Sequence, residues 1–110
     1  MIPPPLSEEA AVDPEEALVA ALSSCHMLFF LAYARKDGFV VDSYRDEAEG
    51  TLGKDERGKM SITEVVLRPA VTWSGDKLPD AAAIADLHHR AHDVCYIANS
   101  VRAEVKVEPR

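Results

Sequence analysis

From Ala17 to Ala34 the chain runs for 18 residues without a charged side chain, and no other feature restricts its fold as strongly. A helix of that length reaches the lower limit for crossing the hydrocarbon of a bilayer, so a membrane span has to be weighed against a helix at the centre of a soluble protein. Ser23, Ser24, Cys25 and His26 stand in the middle of the stretch, where hydrocarbon penalises polar groups most, and neither a second span nor a basic flank accompanies it. A helix apolar all round and buried in protein is the simpler solution.

The beginning of this helix is marked by Asp13-Pro14-Glu15-Glu16. Asp13 suits the N-cap, Pro14 the first helical position, and the two carboxylates face the positive end of the helix dipole. The signal continues to Asp37-Gly38, where glycine can take the left-handed C-cap. Ser23 and Ser24 allow a break, with one helix ending and a second beginning so that Cys25 falls in a first turn and the dipole favours its thiolate. One continuous helix from Glu15 to Lys36 is the alternative. Residues 1–12, with three consecutive prolines and two glutamates, read as an extended lead, leaving 13–110 as the folded domain.

Beyond Phe39 the apolar period becomes two. Phe39, Val41 and Ser43, then Ala48, Gly50 and Leu52, alternate with polar partners, and Lys59 to Trp73 forms a second strand in which Pro69 implies an edge or a bulge. The charged, glycine-containing segment 53–58 is the hairpin loop between them. Pro79-Asp80 announces a second helix carrying Ile84, Leu87, Ala91, Val94 and Cys95 at helical spacing; Asn99-Ser100 ends it. A last strand alternates Val101, Ala103, Val105 and Val107 with charged residues. Helix, strand, strand, helix, strand predicts an α+β domain with an antiparallel sheet.

The 110 residues fit one domain small enough for a second subunit to complete its core. With 47% apolar and 28% charged residues the composition is that of a globular protein, and the net charge of −7 argues against a nucleic-acid partner. The N-terminus carries neither a positive segment nor an apolar run of the secretory kind, so a cytoplasmic location is the default expectation. Only two cysteines occur, Cys25 and Cys95, far apart in sequence, and a bond between them points to redox chemistry rather than scaffolding.

Each cysteine alone reads equally well as a small buried core residue. Two antiparallel central helices would nevertheless bring them together, and a thiol that becomes a sulfenic acid beside one that condenses with it makes a two-cysteine peroxide cycle. His88, His92 and Cys95 fall at i, i+4 and i+7, so a metal-binding module is a rival, with Cys25 or His26 as the donor from elsewhere. His26 points about 100° from Cys25 on a helix and is a poor direct base for it. Glu15 and Glu16 are explained by the helix dipole alone. No phosphate loop, Gly-x-Ser-x-Gly elbow, Cys-x-x-Cys pair or His-Glu-x-x-His helix occurs.

The segment Asp-Pro-Glu-Glu-Ala-Leu-Val-Ala-Ala-Leu-Ser-Ser-Cys-His-Met at 13–27 resembles the first central helix of the OsmC/Ohr proteins. Leu87 to Val101, around Cys95, is similar to that family's second cysteine motif, and Gly38 to Tyr44 and Lys59 to Leu67 also match. The resemblance implies an intertwined homodimer with two central helices per chain packed against antiparallel sheet. It also implies reduction of organic hydroperoxides, with Cys25 as the peroxide-reacting thiol, Cys95 as its resolving partner and Glu15 as the glutamate that steadies an activating arginine. Regeneration would come from a dithiol such as a lipoylated protein, and no cofactor is implied.

Two departures from the family pattern stand out. The strands that supply the arginine precede the helix in the family, whereas 1–12 contain no arginine. Either the site is incomplete, as in a non-catalytic OsmC-like dimer, or another arginine such as Arg45, Arg68 or Arg102, supplied by a partner subunit, serves instead. Tyr96 stands where many members have proline. Leu22, Phe29 and Met60 are the expected apolar surroundings of the cysteines, favouring alkyl hydroperoxides.

Overall fold

The computed structural model describes residues 13–110, so the expected extended lead at 1–12 lies outside the described residues. Helix α1 spans Pro14–Lys36, 23 residues without interruption. Its start follows the sequence: the Glu16 N–H donates to Asp13 Oδ1 at 2.8 Å, Pro14 opens the first turn, and Gly38 turns the chain at φ 85°. Of the two alternatives, the continuous helix forms and the break at Ser23-Ser24 does not. Ser23 sends its hydroxyl outward to Asp46 Oδ2 at 2.6 Å instead of capping a new helix, and Cys25 therefore sits in mid-helix, where the dipole offers it nothing.

Each of the two long strands expected after α1 is in fact a pair. Strands β1 (Val40–Asp46) and β2 (Glu49–Lys54) are followed by β3 (Met60–Leu67) and β4 (Pro69–Ser74). Strand β1 runs antiparallel to β4, from Val40 opposite Ser74 to Asp46 opposite Pro69, while β2 runs antiparallel to β3, from Glu49 opposite Val66 to Lys54 opposite Met60. One carboxylate stitches both breaks, because Asp46 Oδ1 accepts the Arg68 N–H at 2.6 Å while its other oxygen takes the Ser23 hydroxyl. Pro69 becomes the first residue of a strand, a position where its missing N–H is least costly. The expected loop between β2 and β3 forms, but Gly53 and Lys54 belong to β2, and the turn is closed by Asp55 and by Gly58 at φ 73°.

Helix α2 spans Ala81–Val94, capped by Asp80, whose Oδ1 accepts the Ala83 N–H at 2.8 Å. A single 3₁₀ turn at Ala98–Ser100 and irregular chain at 101–103 shorten the last expected strand to β5, Glu104–Val107. It pairs with β3 in parallel, Val65 opposite Val105, so the sheet β2-β3-β5 is mixed rather than wholly antiparallel. The crossover through α2 returns the chain in the direction of β3, a sense that a hairpin cannot give.

Helix α1 lies along two apolar clusters. Its first half places Leu22 on Val65 and Leu67; its second half places Phe30 and Ala34 on Leu87 and Ala91 of α2, with Tyr44 and Trp73 from the β1-β4 pair alongside. Gly50 lets β2 approach α1 closely, since a Cβ there would lie 2.7 Å from Val19 Cγ2. By length and composition α1 could cross a membrane, yet Leu22, His26, Phe30 and Ala34 are buried against protein. Only 28% of its most apolar stretch is covered, and Leu28 is 61% exposed.

Candidate functional site

The two cysteines meet where α2 ends. Helix α2 stops at Val94, and Cys95 adopts an extended backbone, φ −61° and ψ 113°, that turns the next residues away from the helix axis. The turn is tied down by the Asn99 N–H on the Cys95 carbonyl at 3.0 Å, the Ser100 hydroxyl on the Tyr96 carbonyl at 2.6 Å, and Asn99 Nδ2 on the Asp93 carbonyl at 3.2 Å. Phe29, one helical turn beyond Cys25, meets the Tyr96 ring edge-on at 5.1 Å between centroids. The segment after Cys95 is thereby held against the Cys25 face of α1.

Both cysteines are free thiols, Cys25 half-buried and Cys95 buried. Burial by itself pushes the Cys25 thiol up, but hydrogen bonds from the Ile97 N–H, the Cys95 thiol and the Tyr96 N–H outweigh it and hold Cys25 below its ordinary value. Cys95 moves the other way. Its burial raises it, the Ala98 N–H offsets part of that, and donation to Cys25 raises it further. The arrangement can hold one thiolate and one thiol, with the thiol donating to the thiolate. All three groups that lower Cys25 are uncharged.

The amides of Tyr96 and Ile97 are the contributors that side-chain reasoning misses, since a backbone N–H leaves no mark in the sequence. Glu15, ten residues before Cys25 on α1, stands about 15 Å from it along the helix axis at 1.5 Å per residue. It lines a cleft of about 920 Å³ with Leu18, Met60, Ile62, Val101 and Arg102, and its Oε2 is buried with no hydrogen-bond partner among the described residues. Arg45 pairs with Glu47 at 3.4 Å and Arg68 with Glu49 at 3.2 Å; Arg102 alone of the three candidates shares the Glu15 cleft. Of the expected apolar neighbours, Phe29 flanks the thiol turn and Leu22 belongs to the core beneath β3. Met60, 61% exposed, lines the Glu15 cleft, which Cys25 does not.

The metal reading of His88, His92 and Cys95 is overturned. The chain leaves the helix at Cys95, so that residue does not continue the stripe on which the two histidines stand. His88 Nδ1 instead lies 2.9 Å from His26 Nε2, in rings only 4° from coplanar, and Phe30 stacks on His88 at 4.3 Å. No group of three or more His, Cys, Asp or Glu among the described residues is placed to hold a metal ion. Burial pushes His26 and His88 down to about 4 each, and for His26 the neighbouring His88 and His92 add to it.

A family model of OsmC-like proteins matches residues 7–110. The structure of an OsmC-like protein of unknown function from Vibrio cholerae superposes with a TM-score of 0.95 at 56% identity, covering 99% of this chain and 71% of that one. An organic hydroperoxide resistance protein from Bacillus subtilis has a TM-score of 0.75 at 24% identity, covering 93% of this chain and 73% of its own. One from Elizabethkingia anophelis has a TM-score of 0.71 at 23% identity, with coverages of 98% and 74%. These two share the fold. No curated protein matches the sequence. With two central helices, mixed sheet and a family match over nearly its whole length, the chain belongs to the OsmC-like family.

Proposed function

We propose that the chain is a thiol-dependent reductase of organic hydroperoxides, acting as a cytoplasmic homodimer. The observation that carries this reading is the meeting of Cys25 and Cys95 where α2 ends, the half-buried thiol held below its ordinary value and the buried one above it. The Cys25 thiolate attacks the terminal peroxide oxygen; the O–O bond breaks, the alkoxide takes up a proton and leaves as the alcohol, and Cys25 becomes a sulfenic acid. Cys95 then attacks the Cys25 sulfur, a disulfide forms, and hydroxide leaves with the Cys95 proton as water. An external dithiol, such as a lipoyl protein, supplies the two electrons that restore both thiols. Glu15 would serve from its cleft by steadying a cation, and the shared fold of the two hydroperoxide resistance proteins supports organic hydroperoxides as the substrate class.

One equivalent of cumene hydroperoxide added to the reduced chain is expected to yield cumyl alcohol and a Cys25–Cys95 crosslink, seen as a loss of two mass units and of both free thiols. A thiol count that stays at two would overturn the reading. The homodimer rests on the uncovered apolar face of α1. Leu28→Asp puts a charge on that face and is expected to halve the mass measured by sedimentation equilibrium at micromolar concentration. An unchanged mass would place the subunit contact elsewhere.

A further inference from the structure

His26 follows Cys25 on α1, and His88 stands on α2 about two turns before Cys95. Their side chains meet: His26 Nε2 lies 2.9 Å from His88 Nδ1 in nearly coplanar rings, and both residues are buried, 1% and 4% exposed. Around them α1 touches α2 through Phe30, Ala34, Leu87 and Ala91, all apolar. An apolar contact tolerates a small slide of one helix on the other; a hydrogen bond between two ring nitrogens does not, and losing it strands buried polar atoms. The outer nitrogens, His26 Nδ1 and His88 Nε2, have no hydrogen-bond partner among the described residues, so the shared bond is the one each ring depends on.

We infer that the His26–His88 bond is the positioning device of the cysteine pair: it fixes α1 against α2 beside Cys25 and thereby sets how readily Cys95 closes on Cys25. The edge-on contact of Phe29 with Tyr96 completes the hold. Along α1 the two contacts follow Cys25 at its next residue and at its next turn; on the other chain segment they come before and after Cys95. The imidazoles act through the helices and not on the sulfur, since His26 points about 100° from Cys25. The inference rests on Cys25 and Cys95 joining as in the proposed cycle, but it concerns closure of the disulfide and not reaction with peroxide.

Equilibration of the chain with mixtures of glutathione and its disulfide tests this without peroxide. Cys25 and Cys95 together give two electrons and two protons to glutathione disulfide, the Cys25–Cys95 bond forms, and two glutathione thiols are released. The mixture at half-oxidation gives the effective concentration of one cysteine for the other. His88→Leu breaks the imidazole bond while still filling space, and is expected to lower that concentration about tenfold. His88→Asn keeps a polar atom where Nδ1 stands and is expected to restore it. Phe39→Ala, just past the far end of α1 against Trp73, costs stability without touching either imidazole and is expected to leave it unchanged. An effective concentration unmoved by His88→Leu, or lowered as far by His88→Asn or by Phe39→Ala, would overturn the inference.

Should His88→Leu fail to fold, as judged by circular dichroism, the unmodified chain still decides. If the imidazole bond favours the disulfide, the disulfide must favour the bond by the same factor. Solvent exchange of the bonded imidazole N–H, followed by NMR, is therefore expected to be about tenfold slower in the disulfide form than in the dithiol form; equal rates in the two forms contradict the inference. A chain that behaves as expected here but leaves hydroperoxide intact would refute the peroxidase reading and not this one.

Discussion

Acidification from pH 7 to pH 4 is expected to remove several kcal/mol of folding stability, with the loss beginning near the ordinary histidine value and ending near 4. His26 and His88 are held at about 4 in the fold against 6.5 when free. Between those limits the unfolded chain binds protons that the native chain refuses, so stability falls as pH falls through that window and is fully present above it. Each imidazole contributes on the order of 3 kcal/mol at 1.36 kcal/mol per pH unit. Because the two share one hydrogen bond, their sum is less than twice that. Below the window Asp13 and Asp55, both lowered mainly by hydrogen bonds, extend the loss further into acid. Urea midpoints measured at pH 7, 5.5 and 4 check this. A midpoint indifferent to pH over that range would refute it, and the double variant His26→Leu, His88→Leu is expected to be nearly indifferent.

Phe30→Ala is expected to cost about 3–5 kcal/mol, the usual range for removing a fully buried phenyl ring from a packed core. The ring is 0% exposed and meets His88 at 4.3 Å, Tyr44 at 5.6 Å and Trp73 at 5.8 Å. It is thus the point at which α1, α2 and the β1-β4 pair are joined. Surrounding side chains on three separate elements cannot collapse into the space together, which puts the cost toward the upper part of the range. Leu78→Ala, at a residue 64% exposed, is expected to change stability by less than about 0.5 kcal/mol. The two variants compared by denaturant unfolding separate a core effect from a general loss of apolar surface; equal midpoints would contradict the assignment of Phe30 to the centre.

The sequence was informative where a side chain acts on its own neighbourhood. Asp13, Pro14 and Gly38 set the ends of α1 because capping is a local matter of one carboxylate, one ring and one permissive backbone. The α+β class followed from the change of apolar period, and the proximity of Cys25 and Cys95 from the motifs around them. Ser23 left a break open because a serine in mid-helix can cap locally or bond at a distance, and only the fold reveals that Asp46 waits for it. The division of each long strand depends on the same distant carboxylate. The parallel pairing of β5 depends on how α2 returns the chain, which alternation along a strand cannot express. His26 and His88, 62 residues apart, could be suspected individually but not paired, since neither helix records the angle at which it meets the other.

Because α1 is a single unbroken helix, one member of the cysteine pair and one of the histidine pair are mounted on the same rod, at Cys25 and His26. Each backbone bond of such a helix supports its neighbours, and opening it in the middle would expose both the Leu22 and the Phe30 clusters at once. Cys25 therefore has no private route to local melting. Amide exchange along this rod should report one cooperative unit.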